Sequence, residues 1–471
     1  MSKLFYRFRK TQSIFKYQEL ETQTIYFAST EELNDPVEGF TNLVFKGDKI
    51  VWRNLFQHYL LCLESMYQTY LVCGEEHTKY SADLIPVFRS IEDIETPKYK
   101  ELFEKIYLEI FEIFGELLDK IATRTTYVSK EELTQYLYPL NIIALEIIQK
   151  HYELEGLIPK RDTSVDLQSI NIQGITKSID AIEALIQKHG KEKMDKFLNL
   201  SVQFYKELNF IQNINFKETP NKLFLLNFTQ NYLKAIEKLT YPKTYVASFT
   251  GEKAINNSSV WGHYGDGHQG VCLIFDANEN DILPFSNAKI GLNSNGIVLG
   301  KIDLSFRKIA YNRGYPEIDF FRSLGRLTST KLYSTWYTDD EKNVSGIYKE
   351  IFDDTDKWRQ EYWDKFAENS LIKTKDWKYE KECRLLLNGG MDGEIDKKYR
   401  LLKYDFLNLK GLIFGINTSV GDKMKIFEII KNKCIESQRN SFEFYEAYYC
   451  NFNKNVQFKK IDFNFRQENE K

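Results

Sequence analysis

In Ser259-Val-Trp-Gly-His-Tyr-Gly-Asp-Gly-His-Gln-Gly-Val-Cys-Leu-Ile-Phe275 a polar segment runs directly into an apolar one. Residues 261–270 hold four glycines, one tryptophan and two of the chain's six histidines. The run 270–275 has the length and composition of a buried strand. The residues before it are then a loop that brings hydrogen-bonding groups to the mouth of a strand, a common way to build a site. A strand at this point makes the fold part β, and its neighbours are sought in both directions.

Upstream, 244–249 reads as a strand, and so do 5–8 and 24–28 at the start of the chain. Downstream, 302–310, 381–387, 409–414, 442–449 and 456–463 continue the series, the last two as a closing hairpin. Between them the pattern changes. Over 50–240 apolar residues recur at three-to-four spacing with little Gly or Pro, which predicts six to eight amphipathic helices. The same spacing returns over 317–372, at Phe320, Phe321, Leu324, Leu327, Trp358, Tyr362, Trp363 and Phe366, and 420–435 is a further helix. Residues 466–471 are expected to fray. The fold class is therefore α+β, with one mixed sheet as core and a large all-α insertion between its second and third strands. Residues 1–45 form the first part of the core and 46–240 the insertion. Residues 241–465 form the remainder of the core, with the smaller helical segment 317–372 inside it.

The chain has 471 residues, 42% hydrophobic and 28% charged, with a net charge of −3, so no global basic field attracts nucleic acid. No apolar run reaches the roughly 18–20 residues of a membrane span, and the first ten residues lack a secretory pattern. A cytoplasmic protein without membrane association is expected. The cysteines at 62, 73, 272, 383, 434 and 450 form no CxxC pair and read as reduced thiols. No metal site is assigned: His263 and His268 have ligand chemistry, but no third ligand is evident near them. The phosphate-cradling glycine motifs, GxSxG and HExxH are all missing, which argues against the commonest nucleotide-binding and hydrolase classes.

A second stretch, Trp377-Lys-Tyr-Glu-Lys-Glu-Cys-Arg384, carries the acid chemistry. Read as a strand, it places Glu380, Glu382 and Arg384 on one face. Two carboxylates and a guanidinium entering an apolar run either form a solvent-facing charge ladder or a polar site at a strand end. Arg7, between aromatics of the first strand, is either a surface residue or a planar fork for phosphate or carboxylate. Asn34 and Asp35, before Pro36, read first as a turn and cap.

Taken in order, these pieces resemble a bacterial family of unknown function, numbered 2971. Its pattern is a Tyr-Arg strand, a Phe-Asn-Asp-Pro-Phe-Glu turn, Ser-Phe-Ser, then Met-Trp-x-His-Tyr-Ala-x-x-His-x-Gly and Trp-x-Tyr-Glu-x-Glu-x-Arg. Here these read Tyr6-Arg7, Leu33-Asn-Asp-Pro-Val-Glu38, Ser248-Phe-Thr250, Val260 to Gly270 and Trp377 to Arg384. The resemblance covers about 1–45 and 241–465. The order of an Arg strand, a Ser strand and a Glu-x-Glu strand is also similar to ADP-ribosyltransferases of the Arg-Ser-Glu kind. That second resemblance implies NAD as substrate. Arg7 would anchor the dinucleotide, and Ser29 or Ser248 would shape the nicotinamide pocket. Tyr26 or Tyr264 would stack on the ring. Glu382 would steady the oxocarbenium-like state, and Glu380 would activate the acceptor. Asn34, Asp35, Trp261, His263, His268 and Arg384 complete the expected binding set.

The expectation is thus an ADP-ribosyltransferase or NAD glycohydrolase that modifies a macromolecular acceptor, in a toxin or anti-phage setting. Helices within 50–240 would meet a regulatory partner or a second copy. Two rivals stand beside it. One is a metal-assisted nuclease or other hydrolase using His263, His268 and the carboxylates. The other is a non-enzymatic sensor in which the polar strand face is a structural network.

Overall fold

The computed structural model describes residues 3–35, 37–76, 79–162, 171–294, 296–389 and 394–462. The chain is α+β and divides into two compact units. The first gathers 1–40, 242–315 and 367–471; the second gathers 41–241 and 316–366. The segment 316–366, read from sequence as part of the core's remainder, therefore groups with the long helical stretch.

In the first unit the apolar runs form a mixed nine-stranded sheet. Its order is Arg307–Lys308, Glu382–Asn388, Thr244–Thr250, Lys3–Arg9, Val271–Ala277, Leu409–Phe414, Glu443–Cys450 and Asn455–Ile461, with Ala28–Ser29 pairing off this path to Thr244–Thr250. The central strands are antiparallel, and each side chain's face is fixed by register: Thr250 lies opposite Glu382, and Ser248 opposite Arg384. The parallel pair Leu409–Phe414 with Glu443–Cys450 is bridged by helix Val420–Glu436, as a parallel crossover requires. The chain ends its described part in the antiparallel hairpin expected from 442–463, although Phe463 and 466–471 lie outside the described residues.

Sequence reading anticipated one sheet, and this unit has a second. Strands Thr24–Tyr26, Leu401–Tyr404, Ile282–Asn293 and Gly296–Ser305 form a four-stranded sheet. Three strands, not two, precede the break in this unit. Phe5, Phe249, Phe275 and Leu385 of the large sheet pack with Ile25, Leu283, Phe285 and Leu402 of the small one, and with Ile426 and Ile430 of the helix. The opposite face of the large sheet carries Tyr6, Phe8, Cys272 and Ile274, packed with Val260 and Trp261.

The second unit holds seven α-helices between residues 49 and 235 among the described residues, within the expected six to eight. Local rules set their starts. Asp48 caps Lys49–Cys73 by accepting from the amides of Ile50 and Val51, and Pro97 opens Pro97–Ala122 at a position where no amide is needed. The unit is not all-α. Asn42–Phe45 pairs in parallel with Glu317–Asp319 and antiparallel with Val128–Ser129. Phe320 and Phe321 follow that strand instead of opening a helix, although both remain in the core as their apolarity demands. Among the described residues no helix is long and apolar enough to cross a membrane.

Candidate functional site

The acidic stretch does not fold as one strand. Lys375–Glu380 is a turn of 3-10 helix, and Lys381 adopts a left-handed conformation at φ 48°. The strand starts only at Glu382. Glu382 and Arg384 then share a strand face as expected, whereas Glu380 reaches the same place from the turn before it.

What draws both carboxylates together is Lys373, a residue that the sequence did not single out. Its Nζ lies 2.8 Å from Glu380, 3.2 Å from Glu382 and 3.3 Å from Glu38. Arg384 closes the group. Its Nε donates to Glu382 at 2.8 Å, a second nitrogen pairs with Glu38, and a third donates to the Ser370 carbonyl at 3.2 Å. All five charged residues are buried, Glu38 the most exposed at 8%. Buried charges persist only when paired and hydrogen-bonded, and here three carboxylates meet two cations. Tyr311 holds the strand start by accepting from the Glu382 amide at 2.7 Å. Tyr264 donates to Glu380 at 2.5 Å.

The two central carboxylates differ in acidity. Burial disfavours the charge on Glu382, but Arg384 and Lys373 outweigh it and bring its pKa down to about 2. At Glu380 burial prevails and raises the pKa; Lys373 and Tyr264 offset part of this, and the neighbouring Glu382 charge adds to it. Lys373 loses affinity for its proton through burial but gains more from Glu382 and Glu38, so it stays charged.

Beside this cluster is a cavity of about 140 Å³, walled by Tyr6, Phe8, Val260 and Tyr264 and edged by Asn34, Ser248, Thr250, Glu380 and Glu382. A dry cavity of about 150 Å³ accepts a benzene-sized ring. The space is therefore that of one aromatic ring, with carboxylates and hydroxyls at its edge.

The expected residues separate into three groups. Glu380, Glu382, Tyr264, Asn34 and Ser248 line the cavity, and Arg384 stands behind Glu382. Asp35 is adjacent: it caps the Val37 amide at 3.0 Å and accepts from Thr374 at 3.4 Å. The rest serve elsewhere. Arg7 lies between Tyr6 and Phe8 on its strand and so faces the opposite side of the sheet, over the Phe249 ring and donating to the Ser248 carbonyl at 2.9 Å. Burial there lowers its pKa to about 9. Tyr26 is in the small sheet and donates to Glu32 at 2.9 Å, while Ser29 caps the turn that carries Glu32.

The segment 259–270 is partly helical, not wholly loop: Ser258–Tyr264 forms two turns capped by Asn257. Trp261 is fully buried, its indole donating to the Ile255 carbonyl at 2.7 Å, and it packs edge-on against Phe8. His263 is exposed, and His268 stacks on Trp261 with its Nε2 3.3 Å from the Ser258 hydroxyl. One glycine of the segment and one that faces it allow close backbone approach. A Cβ on Gly270 would meet the Arg9 carbonyl at 2.4 Å, and one on Gly415 would meet the His268 carbonyl at 2.2 Å. Among the described residues no group of three or more His, Cys, Asp or Glu side chains is arranged to hold a metal ion.

Lys373 and Glu38 are the members that sequence reading missed. Glu38 closes the quoted Asn-Asp-Pro-Val-Glu turn, so its signal was present; Lys373 stands in no pattern.

No curated protein and no solved structure matches the chain. A family model does match, over residues 260–385, a span that includes Tyr264, Lys373, Glu380, Glu382 and Arg384. Across that span the chain matches the family described as Protein of unknown function (DUF2971).

Proposed function

We propose that the cavity takes the nicotinamide ring of NAD and that the chain cleaves the bond from that ring to ribose. The observation that carries this reading is the divided acidity of Glu380 and Glu382 at the rim of a ring-sized cavity. Two carboxylates pushed apart in pKa suit two roles. Glu382, ionised and fixed by Arg384 and Lys373, is the standing negative charge that stabilises an oxocarbenium-like ribose. Glu380, whose pKa burial raises above the ordinary carboxylate value, is suited to accept a proton.

In the proposed step the C1′–N1 bond breaks and both its electrons pass to the ring nitrogen. The pyridinium becomes neutral nicotinamide and leaves without needing a proton. The ribosyl cation is captured by a hydroxyl or other nucleophile of a macromolecular acceptor, or by water, and that nucleophile's proton passes to Glu380. No anchor for the pyrophosphate is assigned to Arg7, which lies on the other face of the sheet.

A sensor reading has one observation in its favour: every charge in the cluster is already paired within the protein. The same experiment tests both. Nicotinamide release from NAD is followed with the full chain, Glu382→Gln and Glu380→Gln, with EDTA, alone and with cell lysate. Release by wild type that both variants lose, while they remain folded, supports cleavage. No release by folded wild type in any condition sinks it and leaves the sensor reading.

A further inference from the structure

Helix Lys191–Asn215 presents an apolar seam to solvent. One side of it is engaged with its own unit. Met194 and Leu198 are buried with Ile186, Tyr205 packs on Tyr138 at 4.7 Å, and Asn209 donates to Gln230 at 3.0 Å. The other side carries Phe197, Leu200, Phe204, Ile211 and Ile214, all between 52% and 69% exposed. With Glu207 they occupy 197, 200, 204, 207, 211 and 214, a spacing of alternating three and four. That is the a/d spacing of a coiled-coil seam, which selects another helix as its partner. Phe210, 68% exposed, widens the stripe.

Monomeric proteins rarely expose apolar patches above a few hundred Å². These side chains offer on the order of 600–800 Å² per copy, close to the roughly 800 Å² per partner of a standard interface. The spacing also reads the same from either end. An antiparallel pair about a two-fold axis between 205 and 206 sets Phe197 against Ile214, Leu200 against Ile211 and Phe204 against Glu207. A parallel pair would set Glu207 against its own copy, a like-charge contact inside the seam. One polar residue in an apolar seam fixes register and orientation in this way.

We propose that the chain forms a two-fold dimer through this helix, antiparallel to its copy, independently of the activity proposed above. Sedimentation velocity on the full chain tests it. Wild type should run as two chains at micromolar concentration. Leu200→Glu alone and Ile211→Lys alone should raise the dimer dissociation constant by about 100-fold or more, with unchanged circular dichroism, since both sites are exposed. The double variant Leu200→Glu/Ile211→Lys should restore the dimer, because 200 faces 211 of the other copy. A monomeric wild type, or a dimer insensitive to both single changes, overturns the proposal and assigns the seam to a different partner. A double variant no better than the singles overturns the antiparallel pairing.

Discussion

Tyr264 donates to Glu380 across 2.5 Å, joining the short helix of the glycine-rich segment to a turn 116 residues further along the chain. The bond favours the ionised form of a carboxyl whose pKa burial raises. Tyr264→Phe removes it, so the pKa of Glu380 rises further. The acid limb of the pH dependence of nicotinamide release should move to higher pH, with the plateau rate retained. A limb that stays in place would mean that Glu380 is not the titrating group.

Lys373 is the only cation of the cluster that touches all three carboxylates. Lys373→Met leaves them facing one another with Arg384 alone. Removing one partner of a buried ion pair costs about 3–5 kcal/mol. Urea unfolding at neutral pH should show a loss of that size, and a loss below 1 kcal/mol would show that the cluster relaxes without its lysine.

Glu382 makes stability pH-dependent with a definite sign. Its pKa falls from an ordinary 4.5 to about 2 on folding, so the native state holds fewer protons there than the unfolded chain. The stabilisation is complete above pH 4.5 and is lost as pH falls through about 2. Glu380, raised on folding, acts in the opposite sense: its contribution is present at low pH and declines as pH rises through its folded value. Urea midpoints measured from pH 6 downward should drop less steeply for Glu382→Gln than for wild type below pH 4.5. Parallel curves would show that the carboxylate is not held in its charged form.

Arg7 separates the family likeness from the geometry. As a dinucleotide anchor it would be needed for NAD, but its guanidinium lies over Phe249 and bonds the Ser248 carbonyl on the far side of the sheet. Arg7→Met should lower stability by about 1.5–3 kcal/mol, the worth of a charge-assisted hydrogen bond, and leave the KM for NAD unchanged. A tenfold rise in KM with normal stability would return Arg7 to the site.

Strands that read as continuous apolar runs were legible because they are buried on both faces, as at 271–277 and 409–414. The hairpin Ile282–Asn293 and Gly296–Ser305 was legible only at 302–305, the start of the strand read over 302–310. Register shifts between Phe285 and Ala288, and between Lys289 and Gly291, break its alternation, and its far end is exposed. Glu382 and Arg384 could be placed on one face by counting in twos. Glu380 could not, since the left-handed Lys381 interrupts the count. Arg7 was ambiguous for another reason: Phe5, Tyr6 and Phe8 put apolar groups on both faces of its strand, so composition does not say which face holds the cavity. Lys373 was invisible because an isolated lysine carries no period, and its burial depends on partners brought from distant segments.

Glu38 and Arg384 are 346 residues apart in sequence. A ribosome adding about 5–20 residues per second needs roughly 17–70 s to travel from one to the other. For nearly all of that interval Glu38 has neither its guanidinium nor its lysine, while the helix-rich unit is already being made. Any chain released early, by a stop codon or a cleaved message, therefore carries no assembled carboxylate cluster. Translation itself acts as a timer on the cluster, which can assemble only in chains that have been read past residue 384.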